Sequence, residues 1–110
     1  MEKDRRAAPR ARVKLPARWE GARSRETATI TDLSRSGCFL LTGGTVDVKE
    51  LVWLEIQLTN QQTVNFWAEV VNQASDIGFA LKFNSSSPED EEALAKYLET
   101  IFQGQAKTKS

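Results

Sequence analysis

The feature that most constrains this chain is a two-residue hydrophobic period that recurs in short runs from Val13 to Phe83 and then gives way to a helical one. Val13, Leu15, Ala17 and Trp19 alternate with Lys14, Arg18 and Glu20, which is the pattern of a strand with one buried face. Pro16 has no N–H to give to a ladder and argues for an edge or a bulge at that point. Residues 21–25 read as a polar turn and 26–34 as a second strand with Ala28 and Ile30 on one face. A short third strand, 38–41, closes at Gly43-Gly44. In the fourth, 51–58, Val52, Leu54, Ile56 and Leu58 alternate with Trp53, Glu55 and Gln57. The fifth, 63–71, buries Val64, Phe66, Ala68 and Val70, and the sixth spans 77–83. Strands recurring with turns between them predict an antiparallel barrel.

After Phe83 the period becomes 3.6. Ser87 suits an N-cap, Pro88 the first helical position and Asp90 the capping-box carboxylate, while Glu89, Glu91 and Glu92 favour the positive end of a helix dipole. Leu94, Tyr97, Leu98, Ile101 and Phe102 form one apolar stripe, and Gly104 is the expected stop. The expected organisation is therefore a basic arm over 1–12, where Pro9 and the lack of apolar periodicity argue against a helix, a six-stranded barrel over 13–84, a helix over 87–103 packed on it, and a frayed tail over 104–110.

Chemistry is bounded by what is missing. With one cysteine, Cys38, and no histidine among 110 residues, an internal disulfide, a multi-cysteine zinc site and Ser-His or Cys-His catalysis are excluded. No apolar run of membrane-spanning length and no signal-peptide core occur, so a cytoplasmic, soluble protein without membrane insertion is expected. Zero net charge conceals a polarity. Residues 1–25 hold nine basic side chains against three acids, a balance of +6 that leaves −6 for the remainder. Such a front end seeks an anion, although charge alone does not choose among nucleotide, nucleic acid, membrane and acidic protein.

One segment stands out as a candidate site, Asp32-Leu33-Ser34-Arg35-Ser36-Gly37. In an extended backbone Asp32 and Ser34 lie on one face about 7 Å apart. Gly37 permits a turn or a close backbone approach. Taken by itself the segment reads first as an Asx or Ser/Thr turn closing a strand. If the second strand keeps a regular register, Asp32 and Ser34 share the inward face of Ala28 and Ile30, so a bulge near Thr31 or Leu33 is needed to bring them to the surface.

Together these features resemble the PilZ domain family, whose signature is R-x-x-x-R followed by [D/N]-x-S-x-x-G. Arg6-Ala7-Ala8-Pro9-Arg10 supplies the first half and Asp32 to Gly37 the second, with Ile77-Gly78-Phe79 and Phe83 similar to the family's last strand. The likeness covers residues 3–103 as a single domain. It implies a six-stranded antiparallel barrel with a C-terminal helix, no catalysis, no cofactor, and cyclic di-GMP as ligand. By the family pattern Arg6 and Arg10 contact guanine and phosphate, Asp32 and Ser34 meet the guanine edge, and Gly37 lets the backbone come close. Arg5, next to the first motif, is the extra charge that would help hold a stacked ligand dimer. The resemblance further implies a monomer or weak dimer that signals to an unidentified protein partner, with motility, attachment and polysaccharide export all open.

Two rival readings are weighed against this one. A nucleic-acid-binding barrel of OB type would use the basic arm on phosphates, but zero net charge and the lack of alternating basic and aromatic residues speak against it. A protein-interaction module that has lost its ligand has no support while every signature position is filled. Trp19, Trp53 and Trp67 are expected in the core or under the helix, Cys38 as a small buried hydrophobe, and Arg12 and Arg35 in solvent.

Overall fold

The computed structural model describes residues 9–74 and 77–109. Arg5, Arg6 and the other residues of 1–8 lie outside the described residues, as do Ser75, Asp76 and Ser110. Six strands and one helix follow in order: β1 (Ala11–Glu20), β2 (Arg25–Leu33), β3 (Gly37–Leu41), β4 (Leu51–Thr59), β5 (Gln62–Ala74), β6 (Gly78–Ser85) and α1 (Pro88–Lys109). All neighbours pair antiparallel in the order β1-β2-β3-β6-β5-β4, and pairing of β1 with β4 closes the barrel. Closure removes the exposed ladder that an open sheet presents at each edge.

The two-residue period is what fills the interior. Leu15, Ala17 and Trp19 of β1 face inward with Val52, Leu54 and Ile56 of β4 and with Val64, Phe66, Ala68 and Val70 of β5. Pro16 sits where the absence of its N–H matters least. It pairs with Thr29 of β2, whereas the β1–β4 ladder begins only at Ala17. β1 starts two residues earlier than its alternation suggests, because buried Ala11 pairs with Leu33.

The helix is anchored at its start by hydrogen bonds the β-sheet leaves vacant. Ser87 Oγ accepts the Asp90 N–H at 3.1 Å, which is the expected cap. The Asp90 carboxylate instead accepts the Asn65 N–H at 2.9 Å, and the Ser86 hydroxyl donates to the Asn65 carbonyl at 2.5 Å. Asn65 lies just past Trp67, where the β5–β6 ladder ends at Ser85, so the first turn of α1 takes over from β6. Leu94 and Leu98 are buried, with Tyr97, Ile101 and Phe102 packed against the same core.

Gly104 does not stop the helix, and the tail expected over 104–110 is helical as far as Lys109. A glycine ends a helix by turning left-handed. Among the described residues positive φ occurs only at Gly44 (101°) and Lys49 (79°), both in the β3–β4 connection.

Candidate functional site: a re-aimed strand end

The geometry around Asp32 follows from a bulge. Ile30 pairs with Leu40 and Asp32 with Phe39, so Thr31 is an extra residue with no partner in β3. On the other side Leu15 pairs with Ile30 and Arg12 with Asp32, so β1 spends three residues where β2 spends two. Ile30 and Leu33 are consequently both fully buried although three positions apart. Parity is reversed between them, and Asp32 is carried to the outside.

There Arg10 Nε donates to Asp32 Oδ2 at 2.8 Å. Both side chains are substantially exposed, 51% and 38%, so the pair is worth no more than about 1 kcal/mol and exchanges readily for another partner. Of the expected site residues this structure brings together Arg10, just before β1, and Asp32 of β2, with opposite charge.

Ser34 takes a different place from the one expected. Where β2 ends its side chain turns inward and is fully buried, so it does not share an outer face with Asp32. Its hydroxyl accepts the N–H groups of Ser36 (3.1 Å) and Gly37 (3.2 Å), and its own N–H donates to the Gly37 carbonyl at 2.9 Å. A side-chain oxygen here does the work of a turn. Gly37 also has a packing reason. A methyl group on its Cα would collide with the Leu81 carbonyl oxygen of β6, whose neighbour Lys82 pairs with Gly37. It is the close approach of β3 and β6 that demands glycine, at backbone angles other residues adopt.

Cys38, adjoining Gly37, is fully buried. Burial pushes its thiol well above the ordinary 9.0, with the Arg10 charge opposing and the Asp32 charge reinforcing the shift. It is a small buried hydrophobe with a protonated thiol.

The tryptophans divide. Trp19 is core, edge-on to Phe79 at 5.1 Å and donating from Nε1 to Thr42 Oγ1 at 2.9 Å. Trp53 and Trp67 were expected in the core or beneath the helix, and they are neither. They face each other across the outer surface of β4 and β5, 38% and 45% exposed with ring centroids 5.1 Å apart. Their strands alternate with the aromatics on the polar parity, beside Glu55 and Glu69, and that parity was the signal in the sequence. Two open depressions, of about 520 and 630 Å³, flank Trp53 and not Asp32. The Asp32 turn is a surface feature, and the arm bearing Arg5 and Arg6 lies outside the described residues.

Among the described residues no cluster of three or more Cys, Asp or Glu side chains is arranged to hold a metal ion. No described helix is long and apolar enough to cross a membrane.

The chain is thus a closed six-stranded barrel with a C-terminal helix, displaying an aspartate and an arginine beside a serine-held turn. Comparison with protein families gives the PilZ domain, matched over residues 4–100. The chain belongs to the PilZ domain family, whose members are known as receptors for cyclic di-GMP and are generally non-catalytic. Among solved structures it is similar to the inhibitor of motility MotI/DgrA of Bacillus subtilis, with 18% identity and a TM-score of 0.71. That likeness covers 94% of this chain, which spans about half, 52%, of the other. It is also similar to the PilZ domain of CeSA from a cellulose-synthesizing bacterium, with 13% identity and a TM-score of 0.65 over 88% of this chain and 98% of that one. Both likenesses are of fold. Among curated proteins nothing matches.

Proposed function

We propose that this chain is a non-catalytic receptor for cyclic di-GMP, which it binds between the arginines of its N-terminal arm and the Asp32 strand end, and that closure of the arm is read by a protein partner. The observation that carries this reading is the outward Asp32 carboxylate beside Arg10, in a chain of the PilZ family. Guanine presents N1–H and N2–H donors that suit a carboxylate, and N7 and O6 acceptors that suit an arginine fork. Binding then amounts to an exchange. The guanine edge replaces Arg10 on Asp32, and Arg10 is released to join Arg5 and Arg6 on the base faces and phosphates. Ser34 and Gly37 act one step back, by fixing the turn that displays Asp32.

Five or six charge-assisted hydrogen bonds at about 1.5–3 kcal/mol each contribute on the order of 10 kcal/mol. Fixing about eight arm residues costs roughly 1–2 kcal/mol apiece. The two are of comparable size, so affinity is a small difference between them, and a dissociation constant between high nanomolar and tens of micromolar is expected. A ligand at about one hundred times its Kd stabilises by about 2.7 kcal/mol, which raises the melting temperature of a domain this size by about 10 °C. The test is a thermal melt with cyclic di-GMP, with linear GMP as control, together with tryptic cleavage at Arg5 and Arg6. Cyclic di-GMP is expected to raise the melting temperature and protect both bonds, and to be recovered unhydrolysed. Equal shifts with both nucleotides would contradict the reading.

A further inference from the structure

Apart from Arg10, the described arginines of the barrel fall into two groups, and the unpaired ones lie near one of the unpaired lysines, which also include Lys14 and Lys49. Arg18, Arg23 and Arg25, remote from the Asp32 turn, are each paired with a carboxylate: Glu55 at 3.0 Å, Asp47 at 2.9 Å and Glu20 at 3.1 Å. Arg12, Arg35 and Lys82 are exposed and pair with no carboxylate among the described residues. All three adjoin the turn. Arg12 is the β1 partner of Asp32, Lys82 is the β6 partner of Gly37, and Arg35 stands in the turn between Ser34 and Ser36.

Asp32 is occupied by Arg10, which leaves Arg12 opposite it without an anion. Glu69 faces Lys82 across the β5–β6 ladder without forming an ion pair with it. Cross-strand neighbours have Cβ atoms about 5 Å apart, and arginine and lysine side chains reach a further 6 Å or so. A guanine edge held at Asp32 therefore places its ribose-phosphate within range of Arg12, while Lys82 lies two strands away across β3, roughly 10–12 Å from Asp32, a gap that the nucleotide and the lysine side chain span together.

We propose that Arg12, Arg35 and Lys82 form a phosphodiester subsite on the folded barrel itself, separate from the arginines of the arm. The inference rests on the cyclic di-GMP reading and adds residues to that site. The planar fork of Arg12 takes two phosphate oxygens, and Lys82 acts as a point charge from the opposite strand. The subsite takes one phosphodiester of the ligand.

Titration calorimetry of cyclic di-GMP into the full chain tests this with Arg12→Gln, Lys82→Gln and Arg35→Gln, at two salt concentrations. All three positions are exposed, so unchanged thermal melts of the free proteins verify the fold, and Arg18→Gln serves as the paired control. Each of the first two variants is expected to bind about tenfold more weakly and with a shallower salt dependence than wild type, while Arg18→Gln binds as wild type does. Undiminished binding by Arg12→Gln and Lys82→Gln overturns the subsite and leaves the receptor reading standing. An equal loss in Arg18→Gln overturns it too, because the effect is then one of net charge. Absence of binding by wild type removes the receptor reading and the subsite together.

Discussion

Within the DxSxxG segment each residue does different work, and substitutions should separate the roles. Asp32 is exposed and its ion pair is weak, so Asp32→Asn is expected to change unfolding free energy by less than about 0.5 kcal/mol while removing an acceptor for guanine. Ser34→Ala deprives two N–H groups of their acceptor in a fully buried place and is expected to cost about 1–3 kcal/mol in urea unfolding. Gly37→Ala forces β3 away from the Leu81 carbonyl, with a similar expected loss. A Ser34→Ala protein as stable as wild type would show that the hydroxyl is not holding the turn. Cys38 yields a pH prediction. Its folded pKa is raised by burial, so the unfolded thiol loses its proton first, and stability is expected to fall as pH rises above about 9. Cys38→Ala should lessen that fall, and native Cys38 should resist alkylation at pH 8 until denaturant is added. The residues of the candidate site were legible in the sequence as a motif. That Ser34 points inward could not, because parity along a strand says nothing about the residue at which the strand ends.

At the scale of elements the alternation of Leu15, Ala17 and Trp19, and of Val52, Leu54 and Ile56, was enough to predict strands that the structure contains, since a half-buried strand writes its face into every second residue. Two things were not written there. The bulge at Thr31 depends on the registers of β1 and β3 together, and the sequence left it between Thr31 and Leu33. Gly104 has the composition of a helix stop, yet α1 passes through it, because a stop requires a left-handed backbone there. Asp90 matches a capping box in spacing but spends its carboxylate on Asn65 of β5. Asp90→Ala is accordingly expected to destabilise by about 1–2 kcal/mol, more than Glu89→Ala, since it breaks the tie between helix and barrel as well as the dipole interaction. Equal effects of the two would mean that only the dipole matters. Leu98→Ala empties a buried position beneath the helix, with an expected loss of about 2–5 kcal/mol.

For the whole molecule, closure of the sheet sets the paired and the unpaired arginines of the described residues on different parts of one surface. The barrel pairs Arg18, Arg23 and Arg25 with carboxylates on the side of Glu20, Asp47 and Glu55, and leaves Arg12 and Arg35 without a carboxylate partner among the described residues beside Asp32, which a bulge has re-aimed and which holds Arg10. The most direct measurement of the central claim is titration calorimetry of cyclic di-GMP into the wild-type chain and into Asp32→Asn and Arg10→Ala. Saturable binding by wild type with a Kd between high nanomolar and tens of micromolar, lost in both variants although their thermal melts are unchanged, is the predicted result. No heat from wild type at about 100 μM ligand, or binding that survives Asp32→Asn undiminished, would contradict it.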